Sequence, residues 1–118
     1  MAAPNIVNVT AIYGKTGVLV VTTTPTAIIT NSSGSGQVLK VDSLMVANID
    51  GTNNATVNVD VYRSSVAYRI AYLMTVPAGA TLDMLSKYIY LEEGDTLRVT
   101  ASANSRLEAV ASYEQISS

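Results

Sequence analysis

The sequence predicts an all-β protein: a single-domain β-sandwich or jelly roll of about eight or nine short antiparallel strands with a short N-terminal arm. Three observations carry this expectation. Apolar residues recur with period two, while helical periodicity hardly appears. Turn residues interrupt the alternation at intervals of roughly ten residues. The chain is rich in Val, Thr, Ala, Ser, Asn and Tyr, which suit a pleated, half-buried surface.

The elements follow in order. Residues 1–9 form a candidate arm, and the first strands are expected near residues 6–12 and 17–23. Between them, Gly14-Lys15-Thr16 echoes the end of a phosphate-binding loop. The upstream glycine is missing and no helix follows, so the tripeptide reads as a turn. Further strands are expected near residues 26–31, 37–49, 55–63, 66–76, 82–91, 96–103 and 107–116. The run Thr22 to Thr26 contains Pro25, which donates nothing to a ladder, so it reads as a bend or a guarded edge. Ser32-Ser33-Gly34-Ser35-Gly36 reads as a flexible loop.

Within 37–49 the alternation changes phase. Leu39 and Val41 share one parity and Leu44 and Val46 the other, which calls for a bulge near Asp42-Ser43. Val57, Val59 and Val61 then oppose Asn58, Asp60 and Tyr62. Asp50 to Asn54 reads as a hairpin connection, Pro77-Ala78-Gly79 as a turn, and Glu92 to Asp95 as a bulged hairpin with Gly94 in the left-handed position. Residues 82–87 could form a helical turn in place of a strand. Leu97, Val99 and Ala101 alternate with Arg98, Thr100 and Ser102, and Asn104-Ser105-Arg106 closes the last hairpin. Leu107, Ala109, Ala111 and Tyr113 supply the final buried face.

Composition narrows the function. The 118 residues are 48% hydrophobic and 14% charged, with no His, Cys, Trp or Phe. The usual proton shuttle, the thiol nucleophile and the soft metal ligands are therefore missing, and neither catalytic nor cofactor-binding residues are expected. Calcium takes oxygen ligands alone, but Asp50 with Asn53 and Asn54, or the turn Glu92 to Asp95, lacks the spacing of a calcium loop; no metal is expected. The seven Lys and Arg are scattered singly against nine acids, giving a formal charge of −2, so no nucleic-acid partner is expected. No apolar stretch approaches the ~20 residues of a spanning helix, and the first residues lack the pattern of a signal peptide. A soluble chain made in the cytoplasm, without a membrane partner, is the expectation.

Low charge with high hydrophobicity points to a surface that neighbours cover, since the cores of assembly interfaces are depleted in charge. The seven Tyr are the only aromatic residues. They can replace Phe at the sandwich boundary, form a protein interface, or stack on sugars. The interface candidates are Ile6, Val7 and Val9 in the arm, with Tyr62, Tyr68, Tyr72, Tyr88, Tyr90 and Tyr113.

Several stretches carry a resemblance. They are Ala3 to Thr10, Val46 to Val57, Val76 to Leu82, Ile89 to Asp95, Val99 to Asn104, Leu107 to Ala109 and Ser112 to Glu114. Together they resemble small β-sandwich virion structural proteins of tailed bacteriophages, particularly marine and cyanobacterial ones. The resemblance implies a non-enzymatic virion protein, a capsid decoration or cement protein that forms a homo-oligomer, usually a trimer. It implies the major capsid protein or another virion protein as partner, and the virion as location. A tail, collar or fibre-associated subunit is the alternative within the virion, and a carbohydrate-binding β-sandwich module the alternative outside it.

Overall fold

Period-two alternation becomes alternating burial. A computed structural model describes residues 10–117. In β8 (Thr96–Ala101), Leu97, Val99 and Ala101 are buried and the residues between them half-buried. In β9 (Leu107–Ser117), Leu107, Ala109 and Ala111 are buried while Glu108, Val110 and Ser112 are exposed. In β3 (Gln37–Asn48) the pairing slips between Val41 and Ser43, and this bulge puts Leu39, Val41, Leu44 and Val46 all in the core.

The remaining strands are β1 (Ala11–Val21), β2 (Thr26–Thr30), β4 (Ala55–Arg63), β5 (Val66–Val76), β6 (Thr81–Asp83) and β7 (Ile89–Leu91). They form two antiparallel sheets, one ordered β1-β9-β3-β6 with β7 also on β3, the other β2-β8-β4-β5. β6 pairs with Met45–Ala47 and β7 with Leu39–Val41, so the two occupy one edge position as a single interrupted strand. Counted that way, each sheet has four positions and the strand order is that of a jelly roll.

Four expectations need correction. Gly14-Lys15-Thr16 is not a turn: β1 runs unbroken through it, each residue paired with β9. Alternation is weak there because β1 is an edge strand, and Gly17 is small for a reason. A Cβ on Gly17 would stand 3.1 Å from the carbonyl oxygen of Ile28, the bulged residue of β2 beneath it. The expected strand 82–91 is two short pieces around an irregular segment that buries Met84 and Leu85. Asp50–Asn54, Glu92–Asp95 and Asn104–Arg106 are turns, but none closes a hairpin. Each joins a strand of one sheet to a strand of the other. Finally, Ser32–Gly36 is tied down: Ser35 Oγ donates to Asn31 Oδ1 and the Gly36 amide to Glu93 Oε2.

The within-sheet hairpin, β4–β5, turns on Ser64 and Ser65 with φ of 51° and 62°. Both central residues need positive φ in this tight turn, which normally selects Asn-Gly. All connections other than β4–β5 and β6–β7 change sheet. At such corners the backbone leaves the ladder and needs other partners. Two buried asparagines supply them, one at each end of the sandwich. Asn31 Nδ2 donates to the carbonyls of Gln37 and Leu91, both at 2.9 Å. Asn48 Nδ2 donates to the carbonyls of Asn53 and Val76, at 2.9 and 3.0 Å.

Replacing either asparagine by alanine takes the side-chain donor from one buried and one part-buried carbonyl. Asn31→Ala and Asn48→Ala should each lower stability by about 2–4 kcal/mol in urea denaturation. Asn53→Ala, whose side chain is exposed, should stay within about 0.5 kcal/mol of the parent.

Candidate assembly surface

At one end of the sandwich β4 finishes on Arg63, beside the turn between β7 and β8. Arg63 grips Asp95 with two nitrogens, Nε to Oδ1 at 2.6 Å and Nη2 to Oδ2 at 2.5 Å, and also reaches Glu92 at 3.0 Å. The Glu92 amide donates to Asp95 Oδ2 at 2.8 Å, and Gly94, at φ 90°, closes the turn. Burial pushes the Asp95 carboxyl up. The Arg63 hydrogen bonds and charge and the Glu92 amide outweigh burial and hold it below the usual carboxylate range. The same pairing pushes Arg63 further up. Together with Ser33, Ser64 and Ser65 these residues line an open cleft of about 640 Å³. Arg63, Glu92 and Asp95 are committed to each other and lock a corner; Glu93, also in the lining, accepts from the Gly36 amide through Oε2 at 3.0 Å, while its buried Oε1 has no hydrogen-bond partner among the described residues.

Asp50 is held by its own turn. Asp50 accepts from the Thr52 amide, the Asn53 side chain and the Asn53 amide, which together hold it low. Among the described residues, no group of three acids stands where it could hold a metal ion.

Exposed apolar side chains gather elsewhere. β5 is the free edge of its sheet, and Val66, Tyr68, Ile70, Tyr72, Leu73 and Met74 are all exposed along it. Tyr68 and Ile70 line a groove with Val61, Ile89 and Tyr90 in the seam between the sheets. The groove continues past Ile70 to Met74, Met84 and Tyr88. Two irregularities shape this edge. Ile70 is an extra residue opposite the Val59–Asp60 step, and Tyr72-Leu73 oppose Asn58 alone. Leu73 takes φ 50°, its amide held by Asn58 Oδ1 at 2.6 Å. A leucine in the left-handed region is strained, and this one also leaves its apolar side chain 57% exposed.

A second apolar area lies on the opposite flank. Val18 is 73% exposed, the highest of any large apolar residue described, and Val20 and Val110 are exposed beside it. Val18 pairs with Val110, and Val110 with Met45, so the row crosses three strands of the outer face.

Of the sequence-selected tyrosines, the fold brings Tyr68, Tyr72, Tyr88 and Tyr90 to the β5–β7 flank. Tyr62 lies under the Arg98 guanidinium at 3.9 Å, and Tyr113 is half-buried against the core. The Tyr88 and Tyr90 rings are 5.6 Å apart but tilted by 47°, not the coplanar platform a sugar stacks on. Ile6, Val7, Val9 and the candidate arm 1–9 lie outside the described residues. Sequence reasoning missed Ile70, Leu73, Met74, Val18, Val20 and Val110. The signal was present in β5, where both parities of VAYRIAYLMTV are apolar although one face must meet water.

No family model matches the chain, and no curated protein matches it. Among solved structures it is similar to a pentameric capsid protein isolated from metagenomic phage sequences, with TM-score 0.45 and 19% identity over 86% of this chain. It spans 60% of that protein's length.

Two outcomes are expected. A carboxyl held low in the folded state stabilises fully above its unfolded value and loses that contribution as pH falls through its folded value. Stability should therefore drop below about pH 4, through Asp95 together with Asp50. Arg63→Gln should cost about 2–4 kcal/mol at pH 7 and make the acid limb shallower, as read by urea denaturation at pH 7 and pH 3. Leu73→Gly, which removes the left-handed strain, should stabilise the monomer by up to about 1 kcal/mol in the same assay.

Proposed function

We propose that this chain is a non-enzymatic structural protein of a tailed-phage virion that associates with itself and binds the head shell as a decoration or cement protein. The observation that carries the reading is the exposed apolar surface. It is concentrated on the β5 flank and the β1–β9 face, in a chain only 14% charged. Contiguous apolar surface beyond a few hundred Å² is uncommon on a soluble monomer and marks interaction sites. The stretches that resemble virion structural proteins support the same reading, and they imply a trimer. Jelly rolls serve in viral capsids, but also in lectins and enzymes, so the fold by itself does not decide the matter.

The mechanism is passive. Apolar faces and tyrosine-bearing edges are removed from water between copies, and each contact with the shell stabilises the assembly by mass action. Residues 1–9 act as an arm that engages a neighbouring subunit. Seeing no base, thiol or free carboxylate pair among the described residues, we assign no catalytic step.

Labelling of particles from the source with an antibody against the chain tests the location. Label spread over heads is the expected result. Label confined to tail, collar or fibre selects that alternative, and unlabelled particles overturn the virion role. Removing residues 2–8 should lower occupancy on the particle; undiminished occupancy removes the arm from the account.

A further inference from the structure

The four sheet edges are not alike. β2 is short and its pairing shifts around Ile28, β6 and β7 are separate pieces, and the β5 pairing shifts twice. β1 runs eleven residues, Ala11–Val21, with no Pro and no shift against β9. Among the described residues β9 is its one strand neighbour, so every second amide and carbonyl along its other side points away from the sheet.

The side chains of β1 are unusual too. Leu19 packs against the core and Val21 is buried, yet Tyr13 and Lys15 of the same parity are exposed. On the other parity Ile12, Val18 and Val20 are exposed. Ile28 accounts for Gly17, but a Cβ on Gly14 would meet nothing within 4 Å. Glycine weakens a strand interior and often marks the close approach of another backbone. At Gly14 no described residue makes that approach.

We propose that two copies of this chain pair their β1 strands edge to edge, antiparallel about a two-fold axis at Thr16, so that the β1–β9 sheet runs on across both. A two-fold contact needs a surface that complements itself. An antiparallel strand edge does so, because the same strand reversed offers a carbonyl to each amide. Overlap and charge choose the register. Centring on Thr16 pairs all eleven residues of the strand, for about ten backbone hydrogen bonds. Ile12 then stands opposite the partner's Val20 and Tyr13 opposite the partner's Leu19. The two glycines receive the remaining large side chains, Gly14 the partner's Val18 and Gly17 the partner's Lys15. Centring one residue earlier sets Lys15 directly against the partner's Lys15, which is destabilising. Centring one residue later leaves Ala11 and Ile12 unpaired. Lys15, the one charge on β1, thus selects a register and does not block the edge. The proposal rests on self-association in the preceding reading. It gives that association a two-fold contact in place of the three-fold one the resemblance implies, and leaves the β5 groove for a second contact.

The chain has no cysteine, so introduced ones report the contact. Directly opposed residues have Cα atoms about 4.5–5.5 Å apart, within disulfide reach. Thr16→Cys, Val20→Cys and the double variant Ile12→Cys/Val20→Cys are oxidised mildly, and linked dimers are read on a denaturing gel without reductant. Circular dichroism checks that each is folded, and light scattering across a concentration series gives the mass of the parent. The parent should reach an even multiple of the monomer mass. Thr16→Cys should link at least tenfold faster than Val20→Cys, because the two copies of position 20 lie about 25 Å apart along the paired strands. Adding Ile12→Cys to Val20→Cys should restore fast linking. Equal rates for Thr16→Cys and Val20→Cys, or no gain in the double variant, overturn the register. A parent that is monomeric at every concentration overturns this contact and the self-association reading together. A trimeric parent, or an oligomer in which Thr16→Cys stays reduced, overturns the contact alone.

Discussion

The fold depends on how the chain changes sheet. A sandwich in which consecutive strands alternate between layers must cross at almost every connection, and each crossing takes backbone groups out of the ladders. Apolar side chains can hold two sheets face to face, but cannot satisfy those groups or fix one sheet's position along the other. Asn31 and Asn48 do both, because a primary amide presents two donors and an acceptor on a short stem. At one end Asn31 joins the ends of β2 and β7 to the start of β3, and its own backbone pairs with Gly94 and Asp95. At the other, Asn48 joins β3 to the end of β5 and the loop before β4. The clamp of Arg63 on Asp95 extends the first corner to the β4–β5 hairpin. With the corners set, the core of Val, Leu and Ala needs only the right parity on each strand.

That parity is what the sequence displays openly. β3, β4, β8 and β9 are interior strands with one wet face, so period-two alternation appears in the residues themselves, down to the bulge at Asp42. The edges are harder to read. β1 has little beneath it, and its Gly, Lys and Thr look like a turn although each is paired. Corner loops and hairpins use the same residues, Asp50-Gly51 or Glu93-Gly94, because both need left-handed or Asx geometry. Sequence cannot tell whether the next strand returns to the same sheet. The β4–β5 hairpin, where the chain does turn back, is made by Ser64-Ser65, which carries no strong turn signature.

The candidate surface was legible in composition and hidden in position. Few charges and many apolar residues announce area to be covered, and the tyrosines of β5 and β7 were found that way. Ile70, Leu73 and Met74 were not, since a strand apolar on both parities looks like an interior strand until its neighbours are known. Val110 escaped for the opposite reason, since it sits at the polar parity of a cleanly alternating strand, and its partner Val18 lies in the weakly alternating β1.

Edge strands give the final step. An open sandwich has four, and each exposes backbone that can recruit another chain. In this protein β2 is short and follows Pro25, β6 and β7 are two fragments, and β5 is bulged twice with Leu73 held in a strained conformation. Three edges are thus unsuited to indiscriminate strand addition. Yet β5 combines a blunted backbone with the largest set of exposed apolar side chains among the described residues. A monomer gains nothing from that pairing, because the bulges leave apolar groups in water and Leu73 adds strain. The arrangement makes sense if side-chain packing is wanted at this edge and unlimited strand pairing is not. Self-association through this edge, as proposed, would bury those side chains while the blunted backbone gives a further strand nothing regular to extend.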